Sequence, residues 1–125
     1  MNLPEASQIL QMMSKKLGGE ENIPEAIKYA EKVAPELIQQ VAVSSKFSVS
    51  AEDLPFDQKT ATLIFLAAAL ASGDERCVET QTKAALNLGA SKEEIIAVVK
   101  IVRHALSSKV IGTATPLLKI LSEEK

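Results

Sequence analysis

Residues 58–94, QKTATLIFLAAALASGDERCVETQTKAALNLGASKEE, decide how this chain folds. The run from Leu63 to Ala71, LIFLAAALA, is made of helix formers and ends at Ser72-Gly73, where glycine supplies the left-handed conformation that closes a helix. Asp74 follows as an N-cap, so a second helix opens there, with Cys77 at its third position, and runs to Leu88 before Gly89. Ser91, with Glu94 three residues on, forms a capping box for a third helix. Three consecutive helices are thus punctuated by their own end signals.

Outward from this stretch the helical spacing continues. The segment KEEIIAVVKIVRHALSS, residues 92–108, places Ile95, Val98, Val99, Val102, Ala105 and Leu106 at helical intervals, and a last helix lies around IGTATPLLKIL. Towards the N-terminus, Met1 to Leu17 reads as a helix closed by Gly18-Gly19. Pro24 starts another, and a further helix begins near Pro35 with PELIQQVAV. Ser44 to Asp57, SSKFSVSAEDLPFD, mixes turn formers with Phe47, Val49 and Phe56 and reads as a connecting loop suited to cover a pocket mouth, after which Asp57 caps the long helix. VAVSSKFSV is the one stretch with some extended character. The expected fold is therefore all-α, a compact bundle of about six helices in one domain over residues 1–125, with a fraying polar end at SEEK.

Composition narrows the function. Hydrophobic residues make up 46% of the 125 residues and aromatics only 3%, so Ala, Val, Ile and Leu must fill the interior. Net charge is −2 with the lysines dispersed, which argues against a nucleic-acid surface. Leu63 to Ala71 is apolar all round but falls short of the about 20 residues of a membrane span. Such a helix is hard to bury in one small domain, so a homo-oligomer is expected. One cysteine and one histidine give no structural zinc site within a chain, no phosphate-binding glycine loop is present, and no cofactor is expected. A single thiol and no leader pattern fit a cytoplasmic protein.

Cys77 is the candidate for chemistry. In the first turn of a helix it meets unpaired N–H groups, the positive end of the macrodipole and the neighbouring charge of Arg76, which favour thiolate. Asp74, Glu75, Glu79 and burial act the other way, and the balance is open from sequence. The bland account is a small residue filling a gap. Cys77 shares a helix face with Gln81, Ala84 and Leu88. His104 sits at the edge of the apolar face of the 92–108 helix. It gains there from the negative end of the dipole, or else reaches across to Cys77 as a base.

The order of an apolar helix, a glycine, a helix opening on cysteine, then KAALNLGASKEEI and a further apolar helix resembles the carboxymuconolactone decarboxylase and alkylhydroperoxidase D family. The resemblance covers roughly Ala34 to Leu121. It implies trimers or hexamers and, in the redox-active branch, thiol peroxidase (peroxiredoxin-type, antioxidant) chemistry by two cysteines, a histidine and a glutamate. Laid on this chain, the second cysteine falls on Cys77, the first on Asp74, the histidine on Gln81 and the glutamate on Thr62. Three of the four positions have lost that chemistry. One thiol cannot close a disulfide cycle alone, so an external thiol reductant would be required, and neither Gln81 nor Thr62 titrates near neutrality. The decarboxylase branch would place histidines where Arg76 and Gln81 stand.

Two functions follow, and a third behind them. The first is a one-cysteine, thiol-dependent peroxidase or disulfide-exchange oxidoreductase with Cys77 as nucleophile, Gln81 and Thr62 as polar positioners, Asp74 beside the thiol and His104 as a distant base. The second is a non-catalytic helical oligomer that binds a small molecule or a protein partner. The third is a lactone decarboxylase, which needs a placed acid that these positions lack.

Overall fold

The computed structural model describes residues 2–125; Met1, which the sequence reading places in the first helix, lies outside the described residues. Among these the regular structure is entirely helical: α1 (Ala6–Leu17), a single 3₁₀ turn (Glu20–Asn22), α2 (Glu25–Val33), α3 (Pro35–Lys46), α4 (Gln58–Ser72), α5 (Glu75–Asn87), α6 (Lys92–Thr113) and α7 (Thr115–Glu123). The all-α expectation holds, with seven α-helices rather than about six. α1 starts only after Pro4, whose ring fits poorly further inside a helix, and Glu5 and Gln8 form its capping box.

The end signals act where the sequence puts them. The Asp57 carboxylate accepts the Thr60 N–H at 2.7 Å, and Gly73 closes α4 at φ 73°. Ser91 and Glu94 exchange bonds of 3.0 and 2.9 Å at the start of α6. Two boundaries differ. α3 continues through Ser44 and Ser45 to Lys46, so the connection begins later than expected and no strand forms there; the Ser48 hydroxyl donates to the Ser44 carbonyl at 2.8 Å and helps end the helix in turns. α6 does not stop at Ser107-Ser108. Both hydroxyls donate back to the His104 carbonyl, at 2.7 and 3.2 Å, so the serines are satisfied inside the helix instead of breaking it.

The core lies between α1, α2, α3 and α5. Ala6, Ile9 and Ile38 form one buried cluster, and Leu17, Ile23 and Ala84 a second. Leu10, Met13 and Ile27 bridge them. α4 and α5, joined through Gly73-Asp74, make a close hairpin in which Ala61, Ala69, Ala84 and Ala85 are buried; small side chains let the two backbones approach. Leu66, 1% exposed, anchors it, and full burial of such a side chain is worth about 1.5–3 kcal/mol. The opposite side of α4 is not covered: Ile64 and Phe65 are exposed. α6 packs on α4 and is tied to it by the Lys59–Glu94 ion pair at 2.9 Å, yet neither α6 nor α7 contains a buried residue.

Candidate functional site

α5 begins with one carboxylate serving one thiol-bearing residue. Asp74 takes the N-cap, and its Oδ1 accepts the Cys77 backbone N–H at 3.1 Å. Hydrogen bonds from Cys77 hold the Asp74 carboxyl below its ordinary range, with the Arg76 N–H and charge adding to them. The thiol moves the other way: burial first, then the hydrogen bond and negative charge of Asp74, push Cys77 up. Burial and the Asp74 carboxylate thus both favour the neutral thiol.

Cys77 and Gln81 are both half-buried on α5, one turn apart, with Ala84 buried beyond them and Leu88 exposed at the helix end. Thr62, on α4, is fully buried, and its hydroxyl has no hydrogen-bond partner. A rise of 1.5 Å per residue along both arms of the hairpin sets Thr62 about 6 Å along the axis from the level of Gln81 and about 12 Å from that of Cys77. Asp74 and Cys77 are therefore brought together, Gln81 stands between, and Thr62 is remote from the sulfur.

His104 stands on another helix. It is exposed on α6, and among the described residues no hydrogen bond reaches its imidazole. Because α6 runs on to Thr113, His104 lies more than two turns before the helix end, where the dipole no longer offers it an advantage.

Two clefts lie elsewhere. One, of about 280 Å³, opens between the 3₁₀ turn with the start of α2 and the outer face of α5, where Glu21, Asn22 and Glu25 face Arg76, Thr80 and the Glu79–Lys83 pair (3.1 Å). The other, of about 430 Å³, is apolar and lies between α6 and α7. Neither is lined by Cys77, Thr62 or the connection between α3 and α4. Among the described residues no three His, Cys, Asp or Glu side chains converge as a metal site requires, and no helix is long and apolar enough to cross a membrane.

The sequence reading missed Asn87, the last residue of α5. Its amide donates to the Lys15 and Lys16 carbonyls at 3.2 and 2.9 Å, while Asn22 donates to the Leu17 carbonyl at 2.9 Å and the Gly19 N–H to that of Ser14 at 2.8 Å. All four orphan carbonyls at the end of α1 are thereby satisfied, and α5 is fixed against it. Gly18 at φ 84° lets the chain turn there, and a Cβ at that position would stand 3.2 Å from the Asn87 side-chain oxygen.

Part of this chain is similar to known proteins. An uncharacterized protein of Methanocaldococcus jannaschii, MJ1511, is 38% identical over 78 residues, which are 62% of this chain and 71% of that protein. Residues 39–114, from α3 through the α4–α5 hairpin to the end of α6, match the description of one family, and on that span the chain belongs to the carboxymuconolactone decarboxylase family.

Proposed function

We propose that this protein is a non-catalytic member of its family, a helical binding protein in which Cys77 fills a structural position. The observation that carries the reading is the Asp74 carboxylate at the opening of α5: it stands where the family resemblance calls for the first of two cysteines, caps the helix at Cys77 and, after burial, helps to push that thiol up. A nucleophilic thiol needs a base, a cation or a helix end free to stabilise thiolate. Here the cap position holds an anion. Binding then falls to the polar cleft of Glu21, Asn22 and Glu25 against Arg76, Thr80 and Lys83, whose mixed charge suits a small molecule bearing both signs.

One observation favours a second reading, thiol-dependent redox chemistry. Cys77 is half-buried, not enclosed, so the residue keeps some exposure to solvent, from which a small oxidant would approach. The thiolate would attack the distal oxygen of a hydroperoxide, breaking the O–O bond to leave a sulfenic acid and, after protonation, an alcohol. One external thiol would then displace water to form a mixed disulfide. A second would release Cys77 and leave as the external disulfide.

Alkylation of Cys77 against pH in the native protein separates the two, with Cys77→Ser as the blank. The binding reading expects a midpoint above the ordinary thiol value of about 8.5 and slow modification at neutral pH. A midpoint well below that value, with fast sulfenic acid formation on peroxide, would overturn it.

A further inference from the structure

The polar cleft between the 3₁₀ turn and α5 has two walls that share one support. The first wall is the turn itself with the start of α2. Its Asn22 amide donates to the Leu17 carbonyl at 2.9 Å, the Asn22 and Ile23 N–H groups donate to the Gly19 and Glu20 carbonyls, both at 3.1 Å, and Pro24 fixes the entry into α2. The second wall is the outer face of α5, which Asn87 ties to the Lys15 and Lys16 carbonyls at 3.2 and 2.9 Å. Both walls are anchored to the end of α1, so the gap between them is preformed, and a ligand spends little of its binding on assembling it.

The charges in that gap do not cancel. Glu79 and Lys83 answer each other at 3.1 Å. Among the described residues the other three charged side chains of the cleft, Glu21, Glu25 and Arg76, make neither an ion pair nor a side-chain hydrogen bond. Arg76 acts on its neighbour Asp74 only as the smallest of the influences on that carboxyl. The Glu21 carboxylate lies against Gly19, in the space that a Cβ there would take, so glycine at that position leaves it room. Buried Ile23 and half-buried Pro24 supply apolar surface between the charges. An occupant that answers every unpaired group therefore carries two cationic groups and one carboxylate, joined by a short apolar chain. A volume of about 280 Å³ lies at the small end of ligand pockets, which usually span about 300–1,000 Å³, and suits a molecule of amino-acid size.

We propose that this cleft binds a free amino acid with a cationic side chain, such as lysine or ornithine, with its carboxylate on Arg76 and its two cationic groups on Glu21 and Glu25. A guanidinium takes a carboxylate through two parallel N–H donors, and each glutamate accepts from an ammonium, so all three pairs are charge-assisted. A simple zwitterion leaves one glutamate unanswered, and a diamine leaves Arg76 unanswered. This class rests on the binding reading of the same cleft and narrows it.

The test is a ligand-observed NMR titration of the full chain with L-lysine, with ε-aminocaproate, which lacks one ammonium, and with cadaverine, which lacks the carboxylate. Each titration is repeated on Arg76→Gln and on the double variant Glu21→Gln, Glu25→Gln. All three side chains are exposed, so the fold is expected to be retained, with helical circular dichroism as the check. L-lysine should bind about fivefold tighter than either analogue, the worth of one partly exposed charge pair. Arg76→Gln should erase its advantage over cadaverine, and the double variant its advantage over ε-aminocaproate. An analogue that binds as well as L-lysine would overturn the class: ε-aminocaproate would leave the mixed-sign reading standing, and cadaverine would remove Arg76 from the site. Binding that no variant weakens, or no binding by any of the three, would also overturn it, while the Cys77 alkylation profile decides the non-catalytic reading separately.

Discussion

Asp74 links the local fold to the reactivity of the one thiol. Its carboxylate is an acceptor for the Cys77 N–H and a negative charge beside the sulfur, and the two effects can be separated by substitution. Asp74→Asn keeps an oxygen for the cap and removes the charge. The Cys77 titration, followed by thiolate absorbance, is expected to move down, but not all the way, because burial is the larger cause and remains. An unchanged midpoint would show that Asp74 does not govern the thiol. The same pairing sets two edges of the stability profile. Asp74, Asp57 and Glu94 have depressed carboxyl pKa values, so their contribution is fully present above the unfolded carboxyl range near 4 and is lost as pH falls through the folded values. Cys77 is raised, so its contribution is present below the unfolded thiol value and is lost as pH rises through the folded one. Denaturation midpoints against pH should therefore fall on both sides of a neutral plateau, and the alkaline shoulder attributable to the thiol should vanish in Cys77→Ser. Thr62 presents the opposite case, a buried hydroxyl with nothing to bond. Thr62→Val keeps the shape and removes the unpaired group, so stability should rise by up to about 1 kcal/mol. A loss of that size would reveal a partner for the hydroxyl, such as a buried water.

At the scale of elements, the joint between α1 and α5 depends on Asn87. Asn87→Ala leaves the Lys15 and Lys16 carbonyls without their donor and unties two helices more than seventy positions apart in sequence. A destabilisation of about 1–2 kcal/mol is expected in urea unfolding. A change of a few tenths would mean that water replaces the amide without cost. This joint also marks where the sequence stops being readable. Caps are legible because donor and acceptor lie within one turn: Asp57, Asp74 and the Ser91–Glu94 box each declare a helix start, and Gly73 an end. Asn87 looks like an ordinary helix C-terminus, since nothing local announces that its amide reaches back to α1. The serines misled for a related reason. Ser44–Ser45 and Ser107–Ser108 are turn formers by type, but a hydroxyl that bonds to a carbonyl one turn back is compatible with helix, and only the structure shows which option is taken. The candidate site was legible as positions. That Asp74 would cap α5 could be read from its place after Gly73, and the axial offset of Thr62 from the sulfur follows from counting residues back from that turn; that Thr62 is fully buried with its hydroxyl unpartnered could not, because burial depends on how α4 packs.

For the whole molecule, the distribution of burial predicts how it comes apart. Ile38, Leu66 and Ala85 are each at most 1% exposed and lie within the part of the fold formed by α1 to α5, whereas α6 beyond Val102 and all of α7 have none of this burial. If a second copy supplies it, dissociation and the loss of the C-terminal helices are one event, and the stability of that region follows mass action. The thermal midpoint should rise with protein concentration. Amide exchange should show where the dependence resides: protection over residues 103–123 should fall on dilution, while that over α1, residues 6–17, stays constant. Protection that is independent of concentration in both regions would mean that residues 103–123 are held by their own chain. Uniform loss in both would mean that the core itself folds only in the assembly, a stronger dependence than its buried alanines and isoleucines require.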